Sequence, residues 1–266
     1  MDKLQQICFD TLTSRLVNLV IGYEIGSNKQ PRPVFISKPE QCAGLYFVDH
    51  CTHNLAVYLT KPDVKKAGKV AVICTLPALR TIIQLENENQ VKEDNLVLIF
   101  PKNKDEIEVI SNFKTLEETI NRAQTIIDNQ TNEEIDRILA MPLQERYQYW
   151  NDQFSKCIKC YACRAACPLC YCTRCTIEIN QPQWVHVPSS PIGNMEWHIM
   201  RAMHMAGRCA DCDACRKACP VDIPLNLLTK FLIRDIKENF GETSESPDKK
   251  NLLSTYKPDD KENFFR

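Results

Sequence analysis

Glycine is scarce in this sequence: the chain of 266 residues contains seven glycines. None of them falls in a G-x-G-x-x-G or Walker-type loop, the two patterns in which a glycine-rich backbone wraps a phosphate group. A backbone that closely approaches a pyrophosphate usually needs residues without a Cβ. The scarcity therefore argues against a bound flavin or nucleotide, without excluding one.

The sequence also lacks an excess of charge of either sign and a long apolar run. Its 33 basic residues balance 34 acidic ones, giving a net charge of −1, so we expect no general affinity for nucleic acid or anionic membranes. The apolar run near the amino terminus is short and is interrupted by Arg15 and Asn18, which suits neither a signal peptide nor a membrane span. These features predict a cytoplasmic protein with no transmembrane segment.

Cysteine, by contrast, is abundant, with 15 residues in the chain, and eleven of them lie between positions 157 and 219. They include two runs of the form C-x-x-C-x-x-C-x-x-x-C-P. That spacing lets three thiolates on one loop bind a 4Fe–4S cubane, while the fourth cysteine serves the other cubane of a two-cluster protein. We therefore predict two 4Fe–4S clusters, the first bound by Cys157, Cys160, Cys163 and Cys219, and the second by Cys209, Cys212, Cys215 and Cys167.

Structural zinc is the competing interpretation of these cysteines. It usually takes two C-x-x-C pairs separated by a longer loop, and a doubled triple with C-P endings fits that pattern poorly. A secreted disulfide scaffold would be short and would carry a signal peptide. Two cubanes in a reducing cytoplasm are the better interpretation.

Among the eleven cysteines between positions 157 and 219, three remain after these eight ligands: Cys170, Cys172 and Cys175, spaced C-x-C-x-x-C. Thiols so close to iron risk oxidation and misligation unless they are themselves ligands. They predict a third metal site, a 4Fe–4S cluster bridging the two halves of the chain, with Cys51 as the fourth ligand and Cys42 as its substitute. The alternative is that they are bystanders in a crowded loop. Three histidines are expected to pack or to lie at the surface and not to bind metal: His186, His198 and His204.

The chain divides into two parts of different character and a tail. Residues 1–140 alternate strand-like apolar runs with helical stretches, which predicts an α/β domain with a partly parallel sheet. Within it we expect a helix at 3–21 and strands at 33–36, 44–48, 69–74 and 95–100. The sequence of residues 141–240 predicts a mostly helical dicluster ferredoxin domain, and residues 241–266 are expected to form a polar tail.

Helical signals support this division. Thr131 followed by Glu134 forms a capping-box pattern, and a second helix is expected to begin after Pro142 and to run into the first cysteine. Further helices are expected from near Asn194 and from Leu225, where apolar residues recur at helical spacing. The boundary between the two domains is therefore placed within 128–145.

Several stretches of the sequence together resemble one iron–sulfur family. They are CIKCYACRAACPLCYCTRC, QPQWV, RAMHMAGRCADCDACRKACPVDIPL and the late FGE…LLSTYKPDD. The family is related to the beta subunits of deazaflavin-coenzyme-reducing hydrogenase and formate dehydrogenase. Its members often accompany heterodisulfide-reductase-like flavoproteins in anaerobes, which implies a flavoprotein and other oxidoreductase subunits as partners. The resemblance is close over 140–266 and weaker over 1–130.

The amino-terminal half departs from the family pattern at two places. Relatives usually read KGCDSR where this chain has TLPALR (75–80), and VPC where it has FPK (100–102). Two cysteines of the family are therefore absent, and Pro77 stands where the first would be. These departures argue against a cofactor or catalytic role for this half and suggest that it is reduced to a docking module.

These observations predict an electron-transfer subunit of a cytoplasmic anaerobic oxidoreductase complex. It would relay single electrons between a heterodisulfide-reductase-like flavoprotein and a hydrogenase, formate dehydrogenase or similar module, because two clusters without a site for two-electron chemistry form a conductor. The rival hypothesis is a flavin-containing subunit that itself oxidises or reduces a deazaflavin coenzyme. A metal-stabilised scaffold is the third alternative. No catalytic residue is expected.

Overall fold

The computed structural model describes residues 1–48, 50–127, 133–175, 177–179 and 181–240. Two sequence expectations lie outside these ranges: the polar tail, and the capping residue Thr131. No helix in the described part of the chain is long and apolar enough to span a membrane.

A mixed five-stranded sheet forms the centre of the amino-terminal half. Its strands are β1 (Leu19–Ile25), β2 (Pro31–Ile36), β3 (Val70–Ile73), β4 (Leu96–Pro101) and β5 (Ile107–Ile110). They lie in the order β2-β1-β3-β4-β5; β1, β3 and β4 are parallel, and both edge strands are antiparallel. All four residues of the central strand β3 are apolar and buried, as expected for a parallel strand that is covered on both faces.

Four α-helices accompany the sheet: α1 (Lys3–Thr13), α2 (Pro62–Lys66), α3 (Leu76–Asn87) and α4 (Phe113–Ile127). The first begins with a capping box. The carboxylate of Asp2 accepts a hydrogen bond from the Gln5 N–H at 2.8 Å, and the Gln5 side chain accepts one from the Asp2 N–H at 3.0 Å. The two bonds satisfy backbone donors that the helix leaves unpaired at its start.

Two sequence predictions for this half are wrong. The helix expected at 3–21 ends at Thr13, because Arg15 takes a left-handed conformation with a φ of 57° and the following residues enter β1. The strand expected at 44–48 is irregular chain that follows a 3-10 turn. Both errors have the same cause: a short apolar run has no clear period, so its tertiary partners decide its conformation.

The described residues of the second half form helices and no strand. The helices are α5 (Glu133–Leu139), α6 (Leu143–Ser155), α7 (Ala162–Ala165), α8 (Pro191–His204), α9 (Ala214–Lys217) and α10 (Leu225–Phe240). Helices α6, α8 and α10 are present where the sequence indicates them. The ring of Phe154 on α6 stacks on that of His198 on α8, with centroids 4.9 Å apart. The assignment of this half as a dicluster ferredoxin domain stays a prediction.

The two halves share one hydrophobic core where they meet. Leu169 and Met205 of the second half are buried in the core that surrounds the sheet. Glu88, directly after α3, accepts hydrogen bonds from Arg208 at 2.5 and 2.6 Å and from the Tyr171 hydroxyl at 2.8 Å. The cysteine-rich segments are therefore held against the end of α3.

A substitution at Gly22 in β1 tests how tightly the sheet is packed. A Cβ at this position would lie 2.6 Å from Cδ2 of Leu45 and 2.8 Å from Cδ1 of Ile73, closer than packed carbon atoms approach. Gly22→Ala is therefore expected to lower the free energy of unfolding by about 1–3 kcal/mol, the usual cost of overpacking, measured by denaturant titration followed by circular dichroism.

Gly44→Ala is the matched control, because a Cβ there meets no heavy atom within 4 Å in the described part of the chain. An equal loss of stability in the two variants would contradict the packing argument.

Candidate metal centres

The two cysteine motifs share one local backbone conformation. Lys159 and Tyr161 in the first loop have left-handed φ values of 51° and 59°, and Asp211 and Asp213, at the equivalent positions of the second loop, have values of 51° and 57°. A four-residue helix follows each loop, α7 in the first motif and α9 in the second. The repeat in the sequence is therefore a repeat in the structure.

This conformation suits thiolate sulfur. Left-handed residues that alternate with right-handed ones turn successive backbone N–H groups into an anion-binding concavity. In the first loop the N–H of Lys159 donates to Sγ of Cys157 at 3.3 Å. In the second, burial raises the pKa of Cys209, and a hydrogen bond from the Asp211 backbone opposes that rise. Such bonds favour the thiolate, the form that binds iron, so both loops fit a cluster.

Two asparagines tie the loops to the long helices. Asn194 of α8 donates to the carbonyl oxygens of Phe154 at 3.0 Å and Cys157 at 2.9 Å. Asn226 of α10 donates to Oδ1 of Asp213 at 2.8 Å. Helices α8 and α10 therefore set the position of the two motifs.

Cys219, the last cysteine of the second motif, lies beside the first loop. Burial raises the pKa of Cys163 to about 11, against the opposing charge of Arg201. The nearby charges of Cys157 and Cys219 add to that rise. Burial also raises the pKa of Cys157, and Cys160 and Cys219 contribute to the shift. Cys219 also packs in the same hydrophobic cluster as Cys157 and Cys163, and the binding of iron by these residues and Cys160 stays a prediction.

Cys167, the last cysteine of the first motif, lies beside the second loop. Burial raises the pKa of Cys212, and the charge of Cys167 is the next-largest cause. Burial raises the pKa of Cys215 to about 12, and Cys167 and Cys212 add to the shift against the opposing charge of Arg201. Burial also raises the pKa of Cys209, with Cys212 and Cys167 contributing. Cys167 and Cys209 also pack against the same core around the sheet, and the binding of iron by these two residues with Cys212 and Cys215 stays a prediction.

The three remaining cysteines line one cavity. Its volume is about 230 Å³, and the side chains around it belong to Arg164, Leu169, Cys170, Cys172, Cys175, Trp197, Arg201, His204, Met205 and Arg208. Within the described ranges, no group of three or more His, Cys, Asp or Glu side chains is placed to hold a single metal ion.

Cys51, the expected fourth ligand of the third site, does not line this cavity. It is 1% exposed in the core around the sheet, and its Sγ accepts a hydrogen bond from the Val48 N–H at 3.4 Å. Cys42 is also fully buried in that core. The structure therefore brings together three of the four expected residues.

Sequence reasoning did not identify the two arginines of this region, and it expected His204 to pack or to lie at the surface. Arg201, His204 and Arg208 recur along and just beyond α8 at intervals of three and four residues, the spacing that places side chains on one face of a helix. All three line the cavity. The three- and four-residue spacing of these side chains was visible in the sequence, but the cysteine segment that packs against this face of the helix was not.

Part of the chain is related by sequence to formate dehydrogenase beta subunits, whereas no protein-family profile matches it. It is 33% identical over 103 residues to the F420-dependent formate dehydrogenase subunit beta of Methanocaldococcus jannaschii, covering 37% of this chain and 26% of that protein. It is 39% identical over 67 residues to the F420-dependent formate dehydrogenase 1 subunit beta of Methanococcus maripaludis, covering 24% of this chain and 16% of that protein. The chain thus spans about a quarter or less of the curated relatives it matches. The relation to these beta subunits agrees with the resemblance seen in the sequence.

The ion pair between Glu88 and Arg208 provides a test of how the two halves are joined. Burial raises the pKa of Glu88, but the hydrogen bonds and charge of Arg208 outweigh that effect and hold the pKa below its usual range. Glu88→Gln removes the charge and is expected to lower the free energy of unfolding by roughly 2 kcal/mol, as for a hydrogen bond to a charged group, measured by denaturant titration.

The matched control is Glu134→Gln, which removes the charge of Glu134 from its pair with Arg216. The side chains of that pair are 41% and 39% exposed, so we expect a loss below about 1 kcal/mol. The argument fails if the two variants lose the same stability.

Proposed function

We propose that this chain is an iron–sulfur electron-transfer subunit of a cytoplasmic oxidoreductase complex in an anaerobe. The observation that supports the proposal is that Cys219 packs with Cys157 and Cys163, whereas Cys167 packs with Cys209, as expected if each motif gives its last cysteine to the other cluster. Clusters bound there supply one-electron chemistry. The proposed ligands are Cys157, Cys160, Cys163 and Cys219 for one 4Fe–4S cluster, and Cys209, Cys212, Cys215 and Cys167 for the other.

The residues around the thiols suit a charged, deprotonated set of ligands. Burial raises the pKa of Cys163 and of Cys215, which belong to different sets, and the charge of Arg201, a residue that is 6% exposed, opposes both rises. Charge and hydrogen bonds near the sulfurs tune the reduction potential of a cluster. A positive charge shared by both sets favours the more negative, reduced state of each.

The exposure of the ligands indicates where electrons pass to a partner. Cys160 of the first set is exposed, whereas Cys163 of the same set is buried. Beside it, Ile158 is 61% exposed, so apolar surface lies next to a proposed ligand. We assign this face to contact with another redox subunit.

The partners in this proposal are a heterodisulfide-reductase-like flavoprotein and a hydrogenase, formate dehydrogenase or similar module. The similarity to formate dehydrogenase beta subunits supports an oxidoreductase complex as the setting. The cytoplasm is the proposed location, because thiols stay reduced there and remain available to iron.

A second candidate function is that of a flavin-containing subunit that itself oxidises or reduces a deazaflavin coenzyme. One observation favours it: a cavity of about 390 Å³, lined by Thr75 and Pro101 among others, lies at the carboxyl ends of β3 and β4. Open α/β sheets commonly bind ligands at this edge. Both cations that line the cavity are already paired with Glu108, Lys102 at 3.3 Å and Arg122 at 3.1 Å, which weakens the case for an anionic cofactor.

Iron analysis combined with paramagnetic resonance tests the crossed ligand sets. Protein purified without oxygen is expected to carry at least about eight irons per chain, four for each of two cubanes. Cys219→Ala is expected to alter the same resonance signal as Cys160→Ala, and Cys167→Ala the same signal as Cys212→Ala. If Cys219→Ala and Cys212→Ala alter one common signal, the sets are not crossed. Zinc without iron would overturn the proposal as a whole.

Flavin release separates the two candidate functions. The purified chain is expected to release no flavin on denaturation, to be reduced reversibly by dithionite, and to pass its electrons to added flavin mononucleotide. Protein from which iron has been removed by a chelator is the control and is expected to transfer none. About one flavin released per chain would favour the second candidate instead.

A further inference from the structure

Cys170, Cys172 and Cys175 line one cavity, and none of the three belongs to either crossed set of cysteines. Its volume of about 230 Å³ is roughly eight times the ~30 Å³ that a water molecule takes in the liquid. Arg164 and Leu169, from the end of the first cysteine motif, also line it, so it lies directly beside that motif. The space is sufficient for a group much larger than a single ion.

Two buried donors in the wall of this cavity have no hydrogen-bond partner. Nε of Arg201 and Nε1 of Trp197 are unpaired among the described residues, although their side chains are 6% and 2% exposed. Both residues line the cavity. A buried donor that lacks an acceptor costs about 1–3 kcal/mol, and native proteins rarely leave one so. The donors indicate an occupant that accepts hydrogen bonds.

The charges around the cavity indicate that this occupant is anionic. Arg164 and Arg208 also line it, and each has a carboxylate partner, Glu178 at 3.5 Å and Glu88 at 2.5 Å. Arg201 has no carboxylate partner among the described residues and is the most buried of the three. A buried cation needs a counter-charge, and deprotonated thiols with a bound group can supply it.

The cavity also has a nitrogen ligand available. His204, the last residue of α8, lines it, whereas Cys51 does not. Neutral imidazole is a common ligand of iron and zinc, and histidine replaces cysteine on one iron of some iron–sulfur clusters. His204 therefore takes the place that the sequence analysis gave to Cys51.

We propose that this cavity binds a third 4Fe–4S cluster through three cysteine thiolates and one imidazole. Each thiol releases its proton to solvent when it binds iron, and the two unpaired donors bond to sulfur of the cluster. Replacing a thiolate by imidazole raises the reduction potential, so this cluster accepts electrons more readily than the other two. The ligands are Cys170, Cys172, Cys175 and His204.

The proposed site uses none of the eight cysteines of the two crossed sets, and Cys172→Ala leaves all eight in place. Anaerobically purified protein is expected to contain about twelve irons per chain, four for each cubane, and Cys172→Ala about eight. Cys172 is exposed, so the variant is expected to fold. Pulsed paramagnetic resonance of protein labelled with ¹⁵N-histidine is expected to show nitrogen coupling on one cluster.

Three further variants identify the fourth ligand. His204→Ala is expected to abolish the nitrogen coupling, while His186→Ala, the control at an exposed histidine outside the cavity, retains it. Cys51→Ala is expected to keep about twelve irons.

Several outcomes would overturn the third site while leaving the two-cluster relay intact. The first is an iron content of about eight per chain in the wild-type protein, with all three thiols open to alkylation. The second is one zinc per chain in addition to about eight irons. Nitrogen coupling that persists in His204→Ala, or a fall to about eight irons in Cys51→Ala, would remove His204 as the ligand. Absence of iron altogether would overturn both proposals.

Discussion

A buried positive charge, the guanidinium of Arg201, is the constraint on which the cysteine-rich half depends. One of its nitrogens, Nη2, donates to the carbonyl oxygen of Cys163 at 3.2 Å. Burial lowers the pKa of Arg201, but the charges of the surrounding thiols outweigh that effect and raise it, Cys167 and Cys170 most strongly. A buried cation without a counter-charge would cost several kcal/mol. The thiols and Arg201 therefore stabilise each other's charged forms, and both loops and the cavity share this one cation.

The local structure of this half depends on the same thiols. Helices α7 and α9 have four residues each, too short to be stable by themselves in water. The backbone of their loops also takes left-handed conformations at several residues, which are costly for residues such as Tyr161. Packing by α8 and α10 offsets part of this cost, and metal binding commonly supplies the rest in small domains of this kind. In the proposed electron-transfer role, function and folding of this half would therefore rest on the same ligands.

The amino-terminal half contributes a rigid support. Its sheet has a fully buried central strand, and the end of α3 holds the cysteine-rich half through Glu88 and Arg208. This pair also fixes one wall of the cavity, since Arg208 donates to the carbonyl oxygen of Leu169 at 3.3 Å. A half without proposed ligands of its own thus positions those of the other half.

The sequence by itself determined the features that depend on short spacing. The two cysteine motifs and the helices that begin near Leu143, Pro191 and Leu225 follow from intervals of a few residues, because covalent geometry fixes what such neighbours can reach. Strands β3 and β4 were also visible as apolar runs.

Only the tertiary structure decided the features that join distant parts of the chain. The residues after Thr13 became a strand because they pair with β2 and β3, although their composition also suited a helix. In the same way, Cys51 was buried in the sheet core while His204 came to the cavity of Cys172. No interval in the sequence encodes such neighbours, because packing between the two halves places them.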